Sequence, residues 1–379
     1  MIFDYELLRV IWWILLGALL IGFAVMDGFD LGVATLLPFV ARTDAERRVA
    51  INTIGPVWEG NQVWLVLGAG AIFAAWPALY AVAFSGFYLA MFIVLCALIL
   101  RPVSIKFRSK LHGRSWRSFW DWALFAGGFV PALIFGVAVG NALQGVPYRF
   151  DGELRMTYEG GLFGLLNPFA LLCGLVSVAM LAMHGGCYLA VKADEPVASR
   201  ATFAARIAAL LLIALFVVGG VSMAIGIDSY RIVSAIDASA PSNPLLKQVE
   251  VVTGGVFSNY AQHLWMLAAP ALGFAGAAAA AVLLGRARPG SALVASGLSV
   301  AGVVATAGVS LFPFLLPSSI APSQSLTVWD ASSSETTLKI MLAAVVIFLP
   351  LILAYTAWVY RVLRGRVTFA ALREDVSSY

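Results

Sequence analysis

Apolar runs of roughly 20 residues recur from one end of the chain to the other, and no other feature constrains the fold as strongly. A helix of that length matches the ~30 Å hydrocarbon core of a bilayer. Nine runs occur, at about 8–39, 50–75, 79–100, 119–141, 163–190, 206–226, 262–284, 292–312 and 338–360. A transmembrane β-barrel would instead show alternating segments of ~10 residues, and none is found. Composition agrees, with 12% charged residues where a soluble domain carries roughly 25%. The expected fold class is therefore all-α, a polytopic membrane protein of about nine transmembrane helices. Residues 1–379 read as a single integral membrane domain, without a soluble domain, a linker or a short repeat. The first run is too long for a plain crossing, since 32 helical residues extend ~48 Å. Either it tilts and protrudes, or its second half packs against protein.

Lysine and arginine set the orientation. Segments 41–49, 101–118, 191–206, 285–291 and 361–379 hold 18 of the 24, while the alternate loops hold four, with Arg9 and Lys339 at span ends on that second side. By the positive-inside rule the first group is cytoplasmic. Nine crossings then leave the N-terminus periplasmic and the C-terminus cytoplasmic. The same bias explains the net charge of +4, and no aromatic-interleaved basic module suggests nucleic acid. The start, "MIFDYELLRVIWWILL", carries acids instead of a basic leader region, so it reads as a retained first helix. Cys96, Cys173 and Cys187 lack CxxC spacing and read as small packing residues.

Three carboxylates break the apolar pattern. In "FAVMDGFDLGVATLLPFV", Asp27 and Asp30 are spaced i, i+3 and so share one helix face. A carboxylate near the bilayer interior costs roughly 2.5–3.5 kcal/mol, and two close ones repel. Such a pair points to a partner, a water file or a protonatable site. Alternatively, Gly28 breaks the helix and Asp30 caps a new one. In "NTIGPVWEGNQVWLV", Glu59 stands among Trp58, Asn61, Gln62 and Trp64 at the start of the second run. A carboxylate beside amides suits proton entry from the cytoplasm. A helix-start acid favoured by the dipole is the plainer reading. Arg101 ends the third run and is a topogenic anchor that could also neutralise one of the acids.

The histidines offer no haem pair. His112 lies in a basic loop, His184 near the cytoplasmic end of the fifth run, and His263 at the start of the seventh. Axial ligands need facing helices at one depth, so His184 reads as a polar helix-end residue and no metal or haem is expected on this chain. The outer stretch "LFPFLLPSSIAPSQSLTVWDASSSETTL", with Trp329 and Asp330, reads as an ordered lid or subunit contact. No Walker loop, GxGxxG or HExxH is present, and no catalytic residue is expected in this chain.

"GFAVMDGFDLGV", "PVWEGNQVWLV", "GAIFAAWPALYAVAFSGFYLA", "RPVSIKFRSK", "LFPFLLPSS" and "SLTVWDASSSETTL" together resemble subunit II of the cytochrome bd-type quinol oxidases, nearly end to end and in order. The resemblance implies a bacterial cytoplasmic (inner) membrane location and a heterodimer with a related subunit I. That partner carries two b-type haems, haem d and the quinol site. The complex oxidises quinol and reduces oxygen to water, building a proton gradient. Subunit II would scaffold subunit I, contribute to a cytoplasmic proton path and, in some members, hold a structural quinone. Membrane lipids surround it, and a small single-helix subunit joins some complexes. Glu59 falls at the family's acidic position in "W-acid-GN", which some members fill with Asp, and that position is associated with the proton route. Asp27 and Asp30 match the acids of "DGFDLG". Two other classes remain: a proton-coupled secondary transporter, which would show related halves that are not found here, and a purely structural membrane subunit.

Overall fold

The computed structural model describes residues 4–255 and 257–374. The ends of the expected 1–379 domain, residues 1–3 and 375–379, lie outside the described residues, as does residue 256. Among the described residues fourteen α-helices run in order: α1 Tyr5–Val40, α2 Asp44–Ile54, α3 Trp58–Ala75, α4 Pro77–Gly86, α5 Tyr88–Phe107, α6 Arg114–Gln144, α7 Leu162–Leu165, α8 Pro168–Lys192, α9 Val197–Ile225, α10 Phe257–Gln262, α11 Ala268–Gly285, α12 Pro289–Leu311, α13 Glu335–Val362 and α14 Phe369–Glu374. Eight of the described helices are long and apolar enough to cross a membrane. The remaining long helix, α3, has 18 residues and spans ~27 Å. It is less apolar because Glu59, Asn61 and Gln62 occupy its first turns.

The first run resolves in favour of internal packing. α1 is a continuous helix of 36 residues, opened by the Asp4 side chain accepting from the Leu7 amide. Its second half is almost wholly buried from Asp27 to Leu37. It runs through Gly28 without a break, so Asp30 caps nothing, and that reading of the acids is corrected. Gly28 and Gly32 serve packing instead. A methyl on Gly32 would collide with the Leu181 carbonyl, and Gly185 of α8 meets Gly32 in the same way. Small residues at such crossings let membrane helices gain dispersion contacts where no hydrophobic gain is on offer.

Two other expected spans change. Run 50–75 divides at Gly55–Val57 into α2 and α3. α2 carries a Thr43/Glu46 capping box and begins at the basic end. Run 79–100 becomes α4 and α5, separated at Phe87. α1 and α8 form the centre, flanked by α3, α6, α9 and α12, with α5 against α6 and α11 against α9 and α12. α13 lies outside, touching mainly α1 and α3, and buries only Leu338.

The lysine- and arginine-rich segments meet at one end of this bundle. Arg108 pairs with Asp121 at 2.5 Å and Asp44 at 2.8 Å, Arg47 with Asp121, Arg117 with Asp44, and Arg200 with Glu46. At the other end the all-α expectation gains three antiparallel hairpins: β1 Tyr148–Phe150 with β2 Met156–Tyr158, β3 Asp228–Ile232 with β4 Val249–Thr253, and β5 Phe314–Leu316 with β6 Leu326–Thr327. Segment 313–334 is tied to the rest of the chain. Ser333 donates from its hydroxyl to the Ala74 carbonyl in a part-buried contact, and the buried Tyr148 donates to the Leu316 carbonyl.

Candidate functional site: a buried acidic pair facing an arginine

Asp27 and Asp30 sit one turn apart on the buried half of α1, neither with any solvent exposure. α5 presents Arg101, also fully buried, with Nη2 2.8 Å from Asp27 Oδ1. Arg101 thus stands as a counter-charge beside one of the two acids. The contact is an ion pair outside hydrogen-bonding geometry: both Asp27 oxygens and the Arg101 Nε, Nη1 and Nη2 lack a hydrogen-bond partner. The Trp58 ring lies over the guanidinium at 5.8 Å, which adds a cation–π attraction in this dry setting.

Asp30 faces α3. Its Oδ2 accepts from Asn61 Nδ2 at 2.8 Å, and its Oδ1 has no partner. Asn61 Oδ1 in turn accepts from the Tyr360 hydroxyl of α13 at 2.8 Å. Beside them Phe29 stacks on Tyr188 with centroids 4.0 Å apart, and the Tyr188 hydroxyl donates to the Thr53 carbonyl at 2.8 Å. The acidic pair is therefore walled by aromatic rings and reached by a short polar chain, Asp30–Asn61–Tyr360.

The other expected residues divide between this core and the surface. Trp64 is buried against Gly22 of α1. Gln62 is half-buried and outside the chain of bonds. Glu59 does not join the cluster. Its side chain is 65% exposed and pairs with Lys106 of α5 at 3.1 Å. With Val63, Val66, Gly70 and Phe73 it forms an exposed stripe along α3 at helical spacing. Three carboxylates do belong to one region, but only two share a site.

Buried groups on a low-dielectric path have a limited repertoire. An ion pair there repays its desolvation only when its remaining hydrogen-bonding capacity is filled. Asp27, Asp30 and Arg101 meet that condition only in part, through the Asp27–Arg101 ion pair and the Asn61 donor to Asp30. It has no nucleophile with a base beside it and no metal set. Among the described residues no group of three or more His, Cys, Asp or Glu gathers.

His184 corrects the sequence reading. It is a core residue of α8, not a helix-end one, with Nε2 donating to the Val25 carbonyl at 3.0 Å and Nδ1 2.8 Å from Ser296 Oγ. Both ring nitrogens are committed within the chain, so the residues present do not fit a haem at this position.

Sequence reasoning missed Tyr360, Tyr188 and Asp121. An acid inside "SFWDWALF" was a visible signal for Asp121. Nothing local ties Tyr360 to Asn61, which lies 299 positions away.

With this geometry in place, comparison with known proteins is specific. Residues 8–363 match the family model for cytochrome bd terminal oxidase subunit II. "Probable cytochrome oxidase subunit 2" of Haemophilus influenzae is 51% identical over 366 residues, covering 96% of each chain. "Cytochrome bd-I ubiquinol oxidase subunit 2" of Escherichia coli K12 is 47% identical over 98% of this chain and 97% of that one. "Cytochrome bd ubiquinol oxidase subunit 2" of Bacillus subtilis is 31% identical over 95% of this chain and 97% of that one. Among solved structures, a chain of the bd oxidase from Geobacillus thermodenitrificans has the same fold, with a TM-score of 0.62 over 94% of this chain and 98% of that one at 19% identity. The apolar helices and these bacterial relatives make the protein a multi-pass component of the bacterial inner membrane. The chain belongs to the cytochrome bd terminal oxidase subunit II family, and is a subunit of an oxidoreductase complex.

Proposed function

We propose that this chain is the non-haem subunit of a quinol:oxygen oxidoreductase, that it supports a haem-bearing subunit I, and that its basic end feeds protons toward that partner. In this reading the basic end is cytoplasmic, the N-terminus is periplasmic, and nine helices cross the membrane. The partner's haems supply the redox chemistry, passing electrons from quinol to oxygen while protons for water are drawn from the cytoplasm. No step of that chemistry needs a residue of this chain to bond to the reacting atoms.

The observation that carries the proposal is the contrast between Glu59 and the pair behind it. An exposed Glu59–Lys106 pair on an apolar helix stripe is costly against lipid, but suits a surface covered by another polar-lined subunit. Immediately inward, Asp27 and Asp30 keep oxygen atoms without hydrogen-bond partners. Glu59 would collect protons at the boundary between the chains, while Asp30, with Asn61, would hold one in the interior. Asp27, tied to Arg101, stays the fixed charge. The ion pair also favours a second, purely structural reading, in which the acids only lock α1 to α5.

Co-expression with a haem-bearing subunit I tests both. Quinol-dependent oxygen uptake should require both chains. Glu59→Gln should slow turnover several-fold with the haem absorption spectrum unchanged. Wild-type turnover in that variant, at wild-type haem content, removes the proton role and leaves the structural one.

A further inference from the structure

α13 is attached to the rest of the chain in an unusual way. No residue of its apolar stretch is fully buried: Met341, Leu342 and Val345 pack partly against the core, while Ile340, Val346, Ile347, Phe348, Leu351 and Tyr355 point outward. Polar ties at each end add to this packing, among them Lys192 Nζ donating to the carbonyl of the C-cap residue Leu363 at 2.6 Å. Near its start, Trp12 Nε1 donates to the Leu338 carbonyl at 3.1 Å. Near its end, the Tyr360 hydroxyl donates to Asn61 Oδ1 at 2.8 Å, and the Tyr360 ring meets the edge of Phe29 with centroids 6.4 Å apart.

The Tyr360 tie has a consequence for the buried acids. An amide side chain can present either its oxygen or its nitrogen to a neighbour. The Tyr360 hydroxyl has one hydrogen to donate, and its donation to the Asn61 oxygen leaves the Asn61 nitrogen aimed at Asp30 Oδ2, 2.8 Å away. Turned over, Asn61 would set its carbonyl oxygen against the carboxylate, acceptor against acceptor. Asn61 is 2% exposed, so bulk water cannot substitute for the missing donor.

We infer that Tyr360 is a positioning residue: it fixes the Asn61 amide so that Asp30 keeps its one hydrogen-bond donor, and it thereby couples the placement of the peripheral helix α13 to the protonation behaviour of the buried pair. The inference rests on the proton role proposed above for Asp30. It adds a site of control, since whatever surface covers α13 in the assembled complex acts on Asp30 through a single hydroxyl.

The test uses the assembled two-subunit oxidase carrying Tyr360→Phe, Asn61→Leu, or both. The pH profile of quinol-dependent oxygen uptake should shift in the same direction in both single variants. Turnover at the wild-type optimum should fall roughly fivefold in Tyr360→Phe, the equivalent of one neutral hydrogen bond. The double variant should be no worse than Asn61→Leu alone. A Tyr360→Phe complex with the wild-type profile beside a shifted Asn61→Leu complex overturns the inference, as does full additivity in the double variant.

Amide hydrogen exchange gives a readout independent of activity and of Tyr360→Phe assembly. Asn61→Leu should raise exchange over residues 355–362 and leave residues 335–345 unchanged. Unchanged exchange at 355–362 overturns the coupling. Raised exchange with wild-type pH profiles in all variants instead sinks the proton role of Asp30, while the tie between α13 and Asn61 stands.

Discussion

Among the described residues two arginines are buried without solvent exposure, and they are served very differently. Arg9, at the end carrying the hairpins, uses four of its five N–H donors. Its Nε donates to Ser332 Oγ at 2.8 Å, Nη1 to the Ala238 carbonyl at 2.5 Å, and Nη2 to the Ala240 carbonyl and Ser242 Oγ at 3.0 Å each. Its guanidinium also lies over the Tyr5 ring at 3.7 Å. Arg101, toward the basic end, has one ion pair with Asp27, a distant ring, and no hydrogen bond. Such a buried charge is a lock that joins two loop segments, 238–242 and the one at Ser332, to a helix. Arg101 depends on its ion pair instead, and donors and acceptors left unfilled in a dry interior are costly.

Arg101→Leu pushes that comparison hardest. It strands Asp27, fully buried, without a counter-charge, and breaking one partner of a buried pair costs about 3–5 kcal/mol. The expected outcome is loss of the assembled complex, read as haem content per purified subunit. Arg101→Leu combined with Asp27→Leu should recover most of that loss, since removing both charges removes the stranded one. A single variant that assembles normally would mean that Asp27 has a second counter-charge.

Arg9→Met probes the other arginine and should break something else. It leaves the Ala238 and Ala240 carbonyls without their donor, and hydrogen bonds to charged groups are worth about 1.5–3 kcal/mol each. The melting temperature of the complex should fall, while turnover per haem in the surviving fraction stays at the wild-type value. A fall in turnover per haem would erase the distinction between lock and site.

The contrast also marks how far the sequence could be read. The all-α polytopic class follows from helix-length apolar runs, and the structure agrees with it, although runs 50–75 and 79–100 each divide in two. The division of run 50–75 was signalled by Gly55 and Pro56 inside "INTIGPVW", but the surrounding apolar residues masked it. The direction of Glu59 was not legible. α3 has no sharply polar face, and in a membrane helix the lipid side and the protein side are both apolar. His184 and Tyr360 were missed for the same reason, as their partners lie on helices distant in sequence. Polar residues buried in helix bundles are recognised by what faces them, which local pattern does not carry.

The finest form of the comparison uses a carboxylate that is filled. Glu46, in the capping box of α2 and outside the crossing helices, takes the Arg42 amide at 2.6 Å, the Thr43 amide at 3.3 Å and Arg200 Nη1 at 2.7 Å on one oxygen. Burial alone would raise its pKa, but these donors outweigh burial and hold the carboxyl below its ordinary value of 4.5. A carboxyl depressed on folding lends stability that is present above the unfolded pKa and is lost as pH falls through the folded one. Between 4.5 and the lower folded value, the unfolded chain binds the proton and the folded chain does not, so stability must decline as the solution is acidified through that window. With Arg200 partly exposed the effect is small, under about 1 kcal/mol. Melting curves of the complex taken from pH 6 down to about 3.5 should therefore show a shallow acid-side fall that is weaker in Glu46→Gln, with turnover at neutral pH unaffected. An identical acid-side fall in the variant would show that Glu46 is not held in its ionised form by these donors, and the distinction between filled and unfilled carboxylates would then rest on Asp27 and Asp30 alone.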